Sequence, residues 1–233
     1  MDPKGMADTM RILFCNIAWM DYYKGIVQGK DEPQNGGSYV RETLDAHEKY
    51  NFEAVSLTRE SGYPEGEYCL GFVETKSTNN ESKNQLRIEK ISGCEGMSKE
   101  DSVEDVLVIY CALYPDAIEK ETYVVGWYQH ATVYRNYEIM RFPSEDEEVY
   151  YDQAYNAIAR KENCVLLPRA SRRKANTWKV PRKSKGIAYG FGQSNVWFAQ
   201  GREDNKLLDE FLNKIVRQIE EYDGENWIDK YAE

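Results

Sequence analysis

The chain has no apolar run that reaches the roughly 18 residues needed to cross a bilayer. Met1 to Met10 lacks the apolar core of a signal peptide and reads as a flexible tail, with Met6 and Met10 as alternative starts. No CxxC pair is present, and the only two histidines, His47 and His130, form no HxxxH pattern, which argues against a zinc site. No GK[ST] follows the glycine-rich Gly36-Gly37-Ser38-Tyr39, so this loop suits close backbone approach to a ligand better than phosphate cradling. There is no internal repeat and no low-complexity linker. These absences point to a single cytoplasmic domain over residues 11–233, with no cofactor and no metal.

What is present is aromatic and acidic. At 233 residues the chain is long enough for a sizeable core, and 41% hydrophobic content rules out disorder as a class. Eighteen tyrosines and five tryptophans are a heavy load that a β-rich core would absorb. Five cysteines, an odd number and widely spaced, mostly lie inside apolar strand-like runs, as expected of buried reduced thiols. A net charge of -10 opposes bulk, non-specific binding to nucleic acid.

Along the chain, Arg11–Ile17 reads as a buried first strand that delivers Asn16, Ala18 and Trp19 to its end. Ser38 to Tyr50 fits a short helix ending in His47-Glu48-Lys49-Tyr50. Strand patterns follow at Glu67 to Glu74, Gln85 to Ile91 and Val106 to Tyr114, the last closed by Pro115. Val124 to Arg135 mixes Trp127 and Tyr128 with Gln129, His130 and Arg135, and reads as a strand pair or one long bent strand. Polar heads beside large rings are unusual core material, so this strand is expected to help wall a pocket for a flat polar ligand. The acidic run Glu145 to Glu148 precedes a helix-like segment, Tyr150 to Lys161. Cys164 to Pro168 returns to a strand, and apolar pairs from Leu207 to Tyr222 mark an amphipathic helix at about 206–222. The whole predicts an α+β domain: a curved mixed sheet or small β-barrel flanked by helices.

One segment departs from the acidic background. Between Arg169 and Lys185 there are eight basic residues and no acidic one: Arg169, Arg172, Arg173, Lys174, Lys179, Arg182, Lys183 and Lys185. Beside Trp178 they look like phosphate contacts with a stacking aromatic, against the plainer alternative of a solvated loop. The following turn, Gly190 to Trp197, lacks dinucleotide-fingerprint spacing but could present Gln193, Ser194, Asn195 and Trp197 to a base edge.

The stretches Arg11 to Trp19, Gly36 to Phe52, Val124 to Arg135 and Gly190 to Trp197 together resemble the PUA-like reader domains of the EVE and YTH group. Such domains bind a modified base flipped from its strand. The nearest likeness is to versions at the N-termini of prokaryotic modification-dependent restriction proteins, joined to HNH nucleases or GTP-dependent motors. The resemblance implies a pocket built from Asn16, Ala18, Trp19, Ser38, Tyr39, Trp127 and Tyr128. His47, Asn195 and Trp197 join it as base-edge or cage contacts. It further implies modified DNA or RNA as partner, an antiviral role, and a nuclease or NTPase effector beyond Glu233 or in trans. Gln129-His130 departs from the Arg/Lys-Asn pair expected before Ala-Thr-Val-Tyr-Arg, which leaves the ligand open and His130 as a specificity contact. The alternatives are a free-nucleotide sensor or protein-interaction module of a defence system, and an enzyme pairing Cys15 with His47 or His130. A mid-strand thiol is a poor nucleophile, and no nuclease motif is present, so the residues favour binding without catalysis.

Overall fold

A computed structural model describes residues 10–35, 46–75, 85–143, 150–184 and 186–233. Nine strands form one mixed sheet: β1 (Arg11–Ile17), β2 (Ala54–Leu57), β3 (Gly66–Gly71), β4 (Ser102–Leu113), β5 (Thr122–Pro143), β6 (Tyr150–Arg160), β7 (Cys164–Leu166), β8 (Lys179–Val180) and β9 (Val196–Trp197). The described helices are a single turn, α1 (Arg169–Arg172), and the 15-residue α2 (Lys206–Glu220). The strand order is β2-β3-β6-β5-β4-β1-β9, with β7 and β8 also paired to β5. This is a sheet-rich α+β arrangement with an open path of strands, in place of the barrel that was one expectation. β1 runs parallel to β4, and the other strand pairs are antiparallel.

β5 is the pivot. Its 22 residues form one long strand, pairing with β4 over its first half and with β8, β7 and then β6 in turn as it proceeds. Alternation, reset by an irregularity of register between Val124 and Gly126, divides its side chains between two cores. Val125 and Tyr128 join Leu13, Cys15, Val108 and Tyr110 on one face. Val124 and Trp127 join Ile12, Phe14 and Leu107 on the other, beneath the buried stripe of α2. Gly126 is required between them, since a Cβ there would strike the Val165 carbonyl and the Phe52 ring.

Two segments fold otherwise than their patterns suggest. Tyr150 to Lys161 is strand β6 and its terminal turn, not a helix. Its two faces pack into different cores, Ala157 and Ala159 into one and Tyr155 and Ile158 into another, so nearly every position from Gln153 to Ala159 is covered and the period-2 signal is lost. Its buried Asn156 is satisfied by both backbone groups of Val73 at 3.1 and 2.8 Å, and sheet context overrides the helix propensity of its alanines. Gln85 to Ile91 contains a 3-10 turn at Ile88–Lys90 and no strand; its alternation reflects Leu86, Ile88 and Ile91 packing inward from a loop. Arg11–Ile17, the Val106 run, Cys164 to Leu166 and the C-terminal helix form as expected. All five cysteines are free and buried. No helix among the described residues is long and apolar enough to cross a membrane.

Candidate nucleic-acid interface

Where β1 leaves the sheet, its backbone loses strand partners and takes side-chain ones. The Ala18 amide donates to Glu48 Oε1 at 2.8 Å, and Trp19 exchanges backbone hydrogen bonds with Gln34 at 2.7 and 3.0 Å. The chain then turns around Asp31, whose carboxylate accepts from the amides of Asp21, Tyr22 and Tyr23 at 2.6, 2.9 and 3.2 Å. Burial pushes the Asp31 and Glu48 carboxyls upward, against those donated hydrogen bonds.

Arg172 locks this corner from within. It is wholly buried and donates to the carbonyls of Leu167 at 3.1 Å, Met20 at 2.6 Å and Asp21 at 2.7 Å. Its guanidinium lies 5.2 Å from the Trp19 ring centroid. Burial lowers its pKa, yet three carbonyl acceptors and an aromatic face suit the charged form. The next residue does the opposite. Arg173 is exposed and lies 3.7 Å over the ring of Tyr114, which meets Trp19 edge-on at 5.3 Å. Lys174 follows, exposed, in a turn where Ala175 and Asn176 both take left-handed backbone, at φ 51° and 56°. Such backbone is held only when its surroundings insist; here Asn176 Oδ1 accepts from Tyr123 at 3.1 Å.

The structure therefore splits the expected site. Asn16, Ala18 and Trp19 stand at the carboxyl end of β1, and Asn195 joins them: its carbonyl accepts from the Asn16 amide at 2.7 Å and its Nδ2 donates to the Glu74 carbonyl. His47 is exposed, 5.4 Å from Phe72, in the turn that supplies Glu48. Ser38 and Tyr39 lie outside the described residues. Asn16 Oδ1 and Trp19 Nε1 are both buried without a hydrogen-bond partner, a costly arrangement in protein alone.

Trp127 and Tyr128 are packed as core rings and not as the walls of one cage. Successive residues on a strand point to opposite faces, and both are core: Trp127 stacks on Trp178 at 5.3 Å, while Tyr128 hydrogen-bonds the Asn51 carbonyl. Trp178 is thereby also removed as a stacking platform. Trp197 stacks on Phe14 at 4.6 Å and packs by α2. His130 lies beside Val106, the partner of Arg11 at the far end of β1. There its Nδ1 is 2.7 Å from Asp105, both residues left-handed, by a cleft of about 210 Å³.

The basic segment sorts in the same way. Arg172 is internal, Lys179 is paired to Glu121 at 2.5 Å, and Arg182 donates to Thr122 Oγ1 and the Gly192 carbonyl. Arg169 shares Asp21 at 2.9 Å but stays half exposed. Arg173, Lys174 and Lys183 face solvent without a carboxylate partner among the described residues, and Lys185 lies outside them. Sequence reasoning missed Tyr114, although its place as the last aromatic before Pro115 marks it as a strand end. Among the described residues no cluster of three or more His, Cys, Asp or Glu could hold a metal. No model of a known protein family matches the chain, and no curated protein or solved structure matches it either.

Proposed function

We propose that the chain is a nucleic-acid-binding reader, of PUA-like kind, that receives an unstacked, modified base at the carboxyl end of β1. Arg169, Arg173, Lys174 and Lys183 hold the phosphates. The observation that carries this reading is the contact of two features recognised separately. The basic segment packs directly on the Trp19 corner, with Arg172 on Trp19 and Arg173 on Tyr114. Cations supply sequence-independent affinity, and the corner opens to admit the base, bringing the enclosed and unpaired Asn16 Oδ1 and Trp19 Nε1 to its edge. Such groups discriminate because the wrong base leaves them unpaired. No catalytic group is assigned, and restriction or antiviral use would come from an effector acting on what is bound.

The test is binding of labelled oligonucleotides carrying 5-methylcytosine, 5-hydroxymethylcytosine or N6-methyladenine, against unmodified controls, across a salt series. A modified probe is expected to bind more tightly than its control. The R173E/K174E variant should lose at least about tenfold and flatten the salt slope by about two. Equal affinity for every probe, or none above background, would end this reading.

A further inference from the structure

The hairpin joining β4 to β5 places one side chain in an unusual position. Ile118 is fully exposed, at 105% of its reference area, well beyond the next most exposed large aliphatics among the described residues, Leu207 at 62% and Ile139 at 61%. Its loop is short and pinned at the base. The Tyr114 amide donates to the Glu121 carbonyl at 2.9 Å, the Tyr114 hydroxyl donates to Asp116 at 3.0 Å, and Pro115 restricts the turn. Tyr114 is also the ring that carries Arg173 and abuts Trp19. Four residues span at most about 14 Å, so Ile118 stands within a few base steps of the corner where the base is received. Acidic neighbours oppose phosphate contact less than their number suggests: Asp116 is engaged by Tyr114, Glu121 by Lys179 and Tyr123, and Lys120 adjoins Glu119.

A base turned out of a duplex leaves a gap in the stack, and apolar wedges of Ile, Leu, Phe or Met fill such gaps in proteins that deform nucleic acid. We propose that Ile118 is such a wedge, entering the stack at the step from which the base has left, which makes a double-stranded nucleic acid the substrate class of this site. The inference rests on the base-receiving reading above. A single strand offers no gap to fill, so the wedge acts on duplex affinity alone.

The experiment measures fluorescence anisotropy of wild type, Ile118→Ser and Ile118→Leu with one modified 20-mer, presented as duplex and as single strand. A 2-aminopurine next to the modified base reports unstacking. Ile118→Ser should weaken duplex binding about tenfold or more, leave single-strand binding within about twofold, and lose the 2-aminopurine signal; Ile118→Leu should restore both. Because the side chain touches nothing, folding is unaffected, and thermal melts verify this. Unchanged duplex affinity in Ile118→Ser overturns the wedge, as does an equal loss on both probes. If wild type binds neither probe nor its unmodified form, the base-receiving reading falls and the wedge with it.

Discussion

Trp19 and Trp127 share nearly everything that burial measures. Both are almost wholly enclosed, at 3% and 1% exposure, and both carry an indole N–H with no acceptor. Their neighbours differ. Trp127 sits in a three-ring cluster, stacked on Trp178 and met edge-on by Tyr222, each 5.3 Å away, on the apolar face under α2. Trp19 has a guanidinium over its ring, an edge-on tyrosine, and a strand end whose amides rely on carboxylates. An aromatic residue in a polar strand is therefore no evidence of a pocket by itself. What sets the Trp19 ring apart from the Trp127 ring is the polar company at the end of its strand.

The comparison can be broken first at Trp127. Trp127→Ala should cost about 3–5 kcal/mol by urea unfolding, since it removes the centre of the three-ring cluster. Nucleic-acid affinity of the folded fraction should not change. A cost under about 1 kcal/mol would mean that this stack holds little of the core and that Trp127 is free to serve a ligand. Arg172→Met comes next, at about 3 kcal/mol, because it leaves the carbonyls of Leu167, Met20 and Asp21 without their donor. Hydrogen exchange should then rise selectively over residues 18–23 if the corner depends on that one side chain.

Much of the fold was legible, for identifiable reasons. β1 and β4 are short apolar runs with no competing period, and α2 repeats its buried positions at helical spacing from Leu208 to Ile219. β6 was illegible because it is covered on both faces and built from alanines, so its pattern matches a helix. Of the candidate site, the meeting of Asn16, Ala18, Trp19 and Asn195 was legible from the polar end of an apolar strand and the turn that follows the basic segment. Trp127 misled because sequence shows residue type without showing what covers it. Arg172 and Arg173 look identical in a basic run, and only the fold sends one inward to carbonyls and the other outward onto Tyr114.

A smaller effect tests the other end of the strands from this corner, at the start of β4. Glu89 accepts from Arg87 at 2.9 Å and Arg135 at 2.7 Å. Burial works against its charge, but those hydrogen bonds win and hold its carboxyl down to about 2. A carboxyl depressed in the folded state stabilises above its unfolded pKa of about 4.5, and that contribution disappears as pH falls toward 2. Glu89→Gln should therefore cost about 1 kcal/mol at pH 7, less than the full shift would carry because solvent screens the pair, and nothing near pH 2. Unfolding midpoints at several pH values measure this. A gap between wild type and variant that persists at pH 2 would assign the interaction to packing instead of charge.

The smallest expected change in stability is at Arg173, and it separates the two arginines most sharply. The guanidinium is exposed on the outer face of Tyr114, so Arg173→Ala should leave the melting midpoint within about 2 °C of wild type. Affinity for nucleic acid should nevertheless fall, with a salt slope lower by about one, as expected for the loss of a single phosphate contact. Arg173→Lys keeps the charge but loses the flat stack on Tyr114, so it should recover the salt slope and part of the affinity. Neighbours in sequence would then divide the work of one corner, Arg172 holding Trp19 in place and Arg173 meeting the ligand. A large drop in stability on Arg173→Ala, with affinity per folded molecule unchanged, would make both arginines structural and leave the Trp19 corner no more a binding site than the stack around Trp127.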